Sequence, residues 1–139
     1  MTASILSEKT NYPLVKTGIK NFTVIPEAAD KVCNLTYLVS VTRGNKKSIE
    51  NITTVFFKET KKEMMLLTVA IQKNNYTLIS TISHKIKSAF SILGISVLDP
   101  VFTEMEYRSS TLPIEKIEQL NRRIQIVFNQ ARAEMKAAE

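Results

Sequence analysis

The sequence predicts an α+β domain of the ferredoxin-like βαββαβ type, with two helices on one face of an antiparallel sheet and a long additional helix at the C-terminus. Short segments in which apolar and polar residues alternate are typical of strands. Two earlier segments and the last one repeat their apolar residues every three or four positions, which indicates helices. The order of these segments matches the split βαβ pattern followed by one extra helix.

The first part of the chain contains an arm, a strand and a helix in this prediction. Residues 1–15 contain Pro13 and show no period, so we expect a flexible arm before a single domain over residues 16–139. Residues 18–25 are predicted as the first strand. Pro26 opens the first helix, because the fixed φ of proline suits a first turn, and Gly44 ends it.

The middle of the chain is predicted to form a hairpin and a second helix. Residues 49–58 and 64–72 are rich in β-branched and apolar residues, and a short polar connector joins them, so we expect two paired strands. The second helix begins at Asn74 or Asn75, either of which can cap it, and it ends at Gly94. Its apolar face includes Ile79, Ile82 and Ile86.

The last part of the chain is predicted as a strand over residues 101–108, after a turn at Asp99-Pro100, and a long amphipathic helix over residues 112–138. The apolar residues of that helix alternate in spacing between three and four, which resembles a short coiled-coil seam. They either pack on the domain itself or contact a second chain, as a homodimer or in a groove of another protein. The candidate interface comprises Ile117, Leu120, Ile124, Val127, Phe128 and Ala131.

The positive charge of the chain is concentrated before residue 99. The net charge is +6; residues 1–98 carry 13 Lys and Arg against 6 Asp and Glu, and residues 99–139 carry 6 against 7. In the ferredoxin-like layout one edge of the sheet also receives the N-terminus of the second helix, which favours anions. The predicted anion-binding residues at this edge are Lys16, Lys20, Arg43, Lys46, Lys47, Lys73 and Arg108.

No pattern of residues predicts catalysis, a metal site or a cofactor. The single cysteine, Cys33, excludes an internal disulfide and a cysteine-based zinc site, and we expect it to be buried and inert. The single histidine, His84, lies at a polar position of the second helix, with no partners that suggest a catalytic triad. The N-terminus does not resemble a signal peptide and no apolar run reaches about 20 residues. We therefore expect no membrane association and a cytoplasmic or other reducing intracellular compartment.

Two functions follow as hypotheses. The first is a non-catalytic subunit of a nucleoprotein assembly that binds nucleic-acid backbone through the basic edge, with RNA favoured over DNA. The order of elements resembles, at the level of the fold, small protein subunits of ribonucleoprotein complexes. The second is a protein–protein interaction or oligomerisation module that acts through its C-terminal helix and has no role with nucleic acid.

Overall fold

The computed structural model describes residues 31–137, and every regular element in that range is helical, which contradicts the ferredoxin-like prediction. A 3₁₀ turn at Ser109–Thr111 precedes the last helix. The α-helices are α1 (Thr36–Thr42), α2 (Lys46–Gln72), α3 (Tyr76–Ile92), α4 (Asp99–Tyr107) and α5 (Ile114–Ala137). The predicted arm at residues 1–15, the strand at residues 18–25 and the start of the first helix at Pro26 lie outside the described residues.

Helices α2, α3, α4 and α5 pack as an antiparallel bundle. Helix α3 packs against α2 and α4, and α5 closes the bundle by packing against both of those helices. Asn121 donates to Thr68 at 3.2 Å, and Phe128 of α5 lies near Phe56 and Phe57, so α5 runs antiparallel to α2. Short α2–α3 and α3–α4 connections likewise favour antiparallel neighbours.

An aromatic cluster fills the centre of the bundle. Phe90 of α3 lies 5.4 Å from Phe102 of α4 and 5.8 Å from Phe56 of α2, measured between ring centroids. Phe128 of α5 joins the same cluster, so all four helices contribute to it. Edge-to-face and offset aromatic pairs of this kind stabilise a core beyond the burial of apolar area alone.

The predicted hairpin is wrong, because residues 46–72 form one helix of 27 residues. Its buried residues, which include Phe56, Thr60, Met64, Leu67 and Ile71, recur every three or four positions and face the bundle. The segment predicted as the polar connector of the hairpin is therefore part of this helix. The outer side of the helix is exposed along this segment. When a helix carries apolar residues on two opposite sides, its sequence resembles the alternating pattern of a strand.

The predicted strand at residues 101–108 is also wrong. Pro100 occupies the first turn of α4, where proline is tolerated, and Asp99 lies in the same turn near the positive end of the helix dipole. Val101, Phe102 and Met105 are buried. Their spacing of one and three residues places them on one side of a helix, whereas strand alternation would have separated Val101 from Phe102.

The start and the end of α3 lie where the sequence predicts them. The side chain of Asn75 accepts a hydrogen bond from the backbone of Leu78 at 3.1 Å and caps the helix, and Gly94 follows its end with a φ of +65°. The first predicted helix is shorter in the described range, since α1 begins only at Thr36 and ends before Arg43 and Gly44, both of which have positive φ.

Candidate functional site

His84 lies in the middle of α3, on the side that faces solvent. Its side chain is 63% exposed, whereas Ser83 and Ile86, its neighbours on the other side of α3, are fully buried. This agrees with the exposed position that the sequence predicts. Because the chain has one histidine, any imidazole chemistry of this protein belongs to His84.

A carboxylate from α4 holds the imidazole. Nδ1 of His84 lies 2.9 Å from Oε2 of Glu106, whose side chain is only 12% exposed. The other carboxylate oxygen, Oε1, is buried with no hydrogen-bond partner in the described part of the chain. The hydroxyl of Ser80 donates to the backbone carbonyl of Glu106 at 2.6 Å and ties α4 to α3 at this point.

This contact determines which nitrogen of the ring is reactive. An ionised carboxylate can only accept hydrogen bonds, so Nδ1 of His84 must carry the proton. In the neutral imidazole the lone pair is then on Nε2, the nitrogen away from Glu106. The contact with Glu106 therefore leaves Nε2 as the ring nitrogen that can react.

The surface around His84 is formed by small and cationic side chains. Residues three and four positions apart are neighbours on a helix, and for His84 these are Ser80, Thr81, Lys87 and Ser88. Ser80, Thr81 and Ser88 are too small to shield the imidazole, and Lys87 adds a cationic side chain about one turn along the helix. Lys85, the next residue in the chain, is held on the α2 side by Glu63 at 3.3 Å.

The site is open rather than enclosed. An apolar groove of about 380 Å³ lies between the first half of α2 and the end of α3, but His84 does not line it. Its lining residues are Asn51, Ile52, Val55, Phe56, Glu59, Thr60, Ala89 and Ile92. Within residues 31–137 no three His, Cys, Asp or Glu side chains lie close enough to hold a metal ion. None of the helices described is long and apolar enough to cross a membrane.

Within residues 31–137 the members of the predicted basic edge are not brought together. Arg43, Lys46 and Lys47 lie at the junction of α1 and α2, whereas Lys73 caps the opposite end of α2, about 40 Å away at 1.5 Å per residue. Arg108 follows α4 and pairs with Glu104 at 3.6 Å. Lys16 and Lys20 lie outside the described residues. The edge depended on a sheet, and residues 31–137 contain none.

The predicted partner interface lies largely inside the bundle. In the described structure these side chains pack on the chain itself, so they do not offer an exposed face to a second chain. Ile117, Leu120, Ile124, Phe128 and Ala131 are buried in the core, and Val127 is partly buried against it.

Cys33 is half-buried next to Glu134. The carboxylate of Glu134 accepts hydrogen bonds from the backbone of Val32 at 2.6 Å and of Cys33 at 3.1 Å. Burial, together with the charge and a side-chain hydrogen bond of Glu134, raises the pKa of the Cys33 thiol to about 12. A thiol with so high a pKa is a poor nucleophile, as the sequence predicts, although the side chain is half-buried and not fully buried as expected.

Sequence reasoning missed Glu106, because it assigned residues 101–108 to a strand instead of a helix. The signal that was present is the helical spacing of the buried residues of α4 together with Pro100 at its start. In a helix, Glu106 lies about one turn after Phe102, and it contacts α3. Comparison of the chain with models of protein families, with curated proteins and with solved structures gave no match.

Proposed function

We propose that this protein is a phosphoryl carrier, in which His84 accepts a phosphoryl group from one protein and passes it to another. The observation that carries the proposal is the exposed imidazole whose Nδ1 is held by the nearly buried carboxylate of Glu106. Histidine forms covalent intermediates as a nucleophile when an adjacent group orients and activates it. The protein itself needs no further catalytic group for this role.

The transfer can be written for a donor that carries a phosphoryl group on a carboxylate or an imidazole. The lone pair of Nε2 forms a bond to phosphorus, and the bond between phosphorus and the leaving group of the donor breaks, with the electron pair going to the leaving group. The proton on Nδ1 stays beside Glu106, whose negative charge stabilises the positive charge that develops on the ring. The reverse attack by an acceptor carboxylate restores the neutral His84.

The openness of the site favours a protein as donor and acceptor. A small phosphorylated substrate requires a concave pocket that orients it, whereas the side chain of His84 is 63% exposed on the solvent side of α3. A protein partner brings its own pocket and needs only access to the imidazole. The small residues Ser80, Thr81 and Ser88 leave that access free, and Lys87 can bind the phosphoryl oxygens as a point charge.

Phosphorylation by a small donor tests the proposal. The folded protein is incubated with phosphoramidate near neutral pH, and an unstructured peptide with one histidine is placed in the same tube. We expect an acid-labile phosphohistidine on the protein, detected by ³¹P NMR and by the mass gain of one phosphoryl group. His84→Gln should show none, because no other histidine exists.

The peptide provides the internal standard for the result. If the peptide becomes phosphorylated while His84 in the folded protein does not, the exposed nitrogen is not a phosphoryl acceptor and the proposal fails. A phosphoryl group that is stable to acid would locate the reaction on a hydroxyl side chain, and one that persists in His84→Gln would locate it on a residue other than His84. Either result would also contradict the proposal.

Binding of nucleic-acid backbone is a second candidate, favoured by the cluster Arg43, Lys46 and Lys47. These cations lie where α2 begins, and the first turn of that helix contains no acidic residue. Residues 31–137 also carry 16 Lys and Arg against 9 Asp and Glu. Phosphate groups bind at such places by charge and by backbone N–H groups, without reading sequence.

A salt titration with single- and double-stranded RNA and DNA tests this second candidate. Charge reversal at Arg43, Lys46 and Lys47 should abolish binding and its steep dependence on salt. Lys73→Glu, at the far end of α2, is the matched control and should bind as the wild type does. Equal loss in both variants, or no binding at low salt, would exclude a specific site at the start of α2.

A further inference from the structure

Helix α2 also carries a row of apolar residues on the side that faces away from the core. Core-facing residues such as Phe56, Met64 and Leu67 lie on one side of it, and four large apolar residues lie exposed on the other. We call this face the outer stripe. It consists of Val55, Lys58, Lys62, Met65, Leu66 and Val69, and its exposed apolar members are 44–63% accessible.

The spacing in the outer stripe is that of a helix-packing seam. From Val55 to Val69 the positions 55, 58, 62, 65 and 69 are separated by three, four, three and four residues, and Leu66 widens the seam beside Met65. Helices that pack along their length use this spacing. Single exposed apolar residues need no explanation, but a row of them in register on a helix marks a contact surface.

The charges of the stripe indicate what covers it. Its charged members, Lys58 and Lys62, are both cationic and lie at seam positions. Of the neighbouring acids, Glu63 pairs with Lys85 at 3.3 Å, and Glu59 makes only an exposed pair with Lys62 of the stripe at 3.6 Å, which contributes little. A partner that covers the apolar residues is therefore favoured if it also brings negative charge opposite the lysines.

Two other occupants fit the stripe less well. A second copy of the chain packed along α2 would place lysine against lysine across the seam, which is unfavourable. Helices that lie in a lipid surface carry Lys and Arg on a polar face, apart from the Trp, Phe and Leu that enter the lipid, whereas Lys58 and Lys62 lie within the apolar row of the stripe. The long stems of Lys58 and Lys62 can instead lie along a protein helix while their ammonium groups reach carboxylates at its rim.

We propose that the outer stripe of α2 binds an amphipathic helix of a partner protein whose aliphatic residues alternate with Asp and Glu. The interaction is a helix laid against a helix, with anchors at spacings of three and four residues. It is independent of the phosphoryl chemistry, because His84 contacts Glu106 on the α4 side of α3, whereas the stripe lies on the outer side of α2.

A designed peptide serves as the probe. It is an amphipathic helix of about three heptads, with Leu opposite Met65 and Val69 and Glu opposite the two lysines, and its twin carries Lys in place of each Glu. Binding to the full chain is measured by fluorescence anisotropy at low and at physiological salt. We expect the Glu peptide to bind at least about tenfold more tightly than the Lys peptide, which corresponds to a modest gain from a few paired charges.

Exchange variants separate the apolar and the charged parts of the stripe. The double variant Met65→Gln, Leu66→Gln should bind the Glu peptide at least about tenfold more weakly than the wild type, because the anchors of the seam are lost. Lys58→Glu with Lys62→Glu should reverse the preference and bind the Lys peptide more tightly. Ile126→Gln removes a comparably exposed apolar residue from α5 and should bind as the wild type does, and so should His84→Gln.

Three results would overturn the proposal. Equal affinity for the two peptides, or none for either, would show that the stripe does not recognise an acidic helix. Self-association of the chain that is lost in Met65→Gln with Leu66→Gln would assign the stripe to a second copy. Binding to vesicles that contain anionic lipid, lost in the same variant, would assign it to a membrane surface. Circular dichroism of each variant confirms that the bundle is intact.

Discussion

At the scale of single residues, Glu106 and Glu104 show how position on one short helix separates two roles. Both are acidic and both lie on α4, yet Glu104 pairs with the exposed Arg108, whereas Glu106 is nearly buried and holds Nδ1 of His84. An exposed pair contributes little to stability. A buried carboxylate that orients a ring determines which ring nitrogen is available to react.

Replacement of Glu106 by Gln tests that role. Gln keeps the size of the side chain but removes the charge that stabilises a positive ring, and a hydrogen bond to a charged group is worth about 1.5 kcal/mol at the lower end of its range. We expect the rate of His84 phosphorylation by phosphoramidate to fall about tenfold. Glu104→Gln is the control and should react at the wild-type rate; equal rates in all three proteins would mean that Glu106 does not act on His84.

The Cys33 thiol provides a pH-dependent prediction. Since burial and then Glu134 raise its pKa from 9.0 to about 12, the thiol stays protonated near pH 8. We expect alkylation by iodoacetamide at that pH to be at least roughly tenfold slower in the folded protein than in urea. Glu134→Gln should react faster than the wild type when folded, because two of the causes of the shift are removed.

The same shift affects stability at alkaline pH. Above pH 9 the unfolded chain loses the thiol proton while the folded chain keeps it until about pH 12, so the free energy of unfolding falls as the pH rises through this window. Cys33→Ser does not titrate there and should lose less stability than the wild type between pH 9 and 12. Parallel curves for the two proteins, measured by urea denaturation, would contradict the raised pKa.

Gly94 is required by its backbone and by its surroundings. Its φ is +65°, and a Cβ at this position would overlap the backbone carbonyl oxygen of Asn34. We expect Gly94→Ala to lower the free energy of unfolding by about 2–3 kcal/mol. Gly44 has a φ of +74° with open space around it, so Gly44→Ala should cost only about 1 kcal/mol. Equal losses in urea denaturation would show that the contact with Asn34 does not matter.

At the scale of elements, α5 contributes its apolar stripe to the core. Ile124 is fully buried, whereas Ile126, on the outer side, is 39% exposed. We expect Ile124→Ala to lower the free energy of unfolding by about 2–5 kcal/mol, and Ile126→Ala to change it by less than about 1 kcal/mol. If Ile124→Ala left stability unchanged but dissociated an oligomer in light scattering, its side chain would belong to an interface between chains.

The elements that the sequence predicts correctly are those with one apolar face and a clear cap. Asn75 and Gly94 bound α3, and Ile79, Ile82 and Ile86 point into the core. The sequence does not predict α2 as one helix, because the apolar residues of its outer stripe and of its core face together resemble the pattern of two strands. The sequence does not predict α4, because the Asp-Pro pair that starts this helix is also common in turns.

At the scale of the whole molecule, the site could not be predicted because it depends on which helices are neighbours. His84 is identifiable in the sequence as the single histidine on a polar face, but Glu106 becomes its partner only when α4 packs antiparallel to α3. The described members of the basic edge are dispersed for the same reason, because the topology that grouped them was incorrect. A long helix separates Lys46 and Lys47 from Lys73, which a compact sheet would have brought together.

The position of the phosphoryl group on the imidazole ring tests the central claim most directly. The chain is labelled with ¹⁵N in the histidine ring and phosphorylated, and coupling between ³¹P and ¹⁵N is measured by NMR. We predict that phosphorus is bonded to Nε2 and that Nδ1 keeps its proton beside Glu106. Phosphorus on Nδ1, or a ring that stays unmodified while a histidine peptide in the same sample reacts, would contradict the proposed phosphoryl carrier.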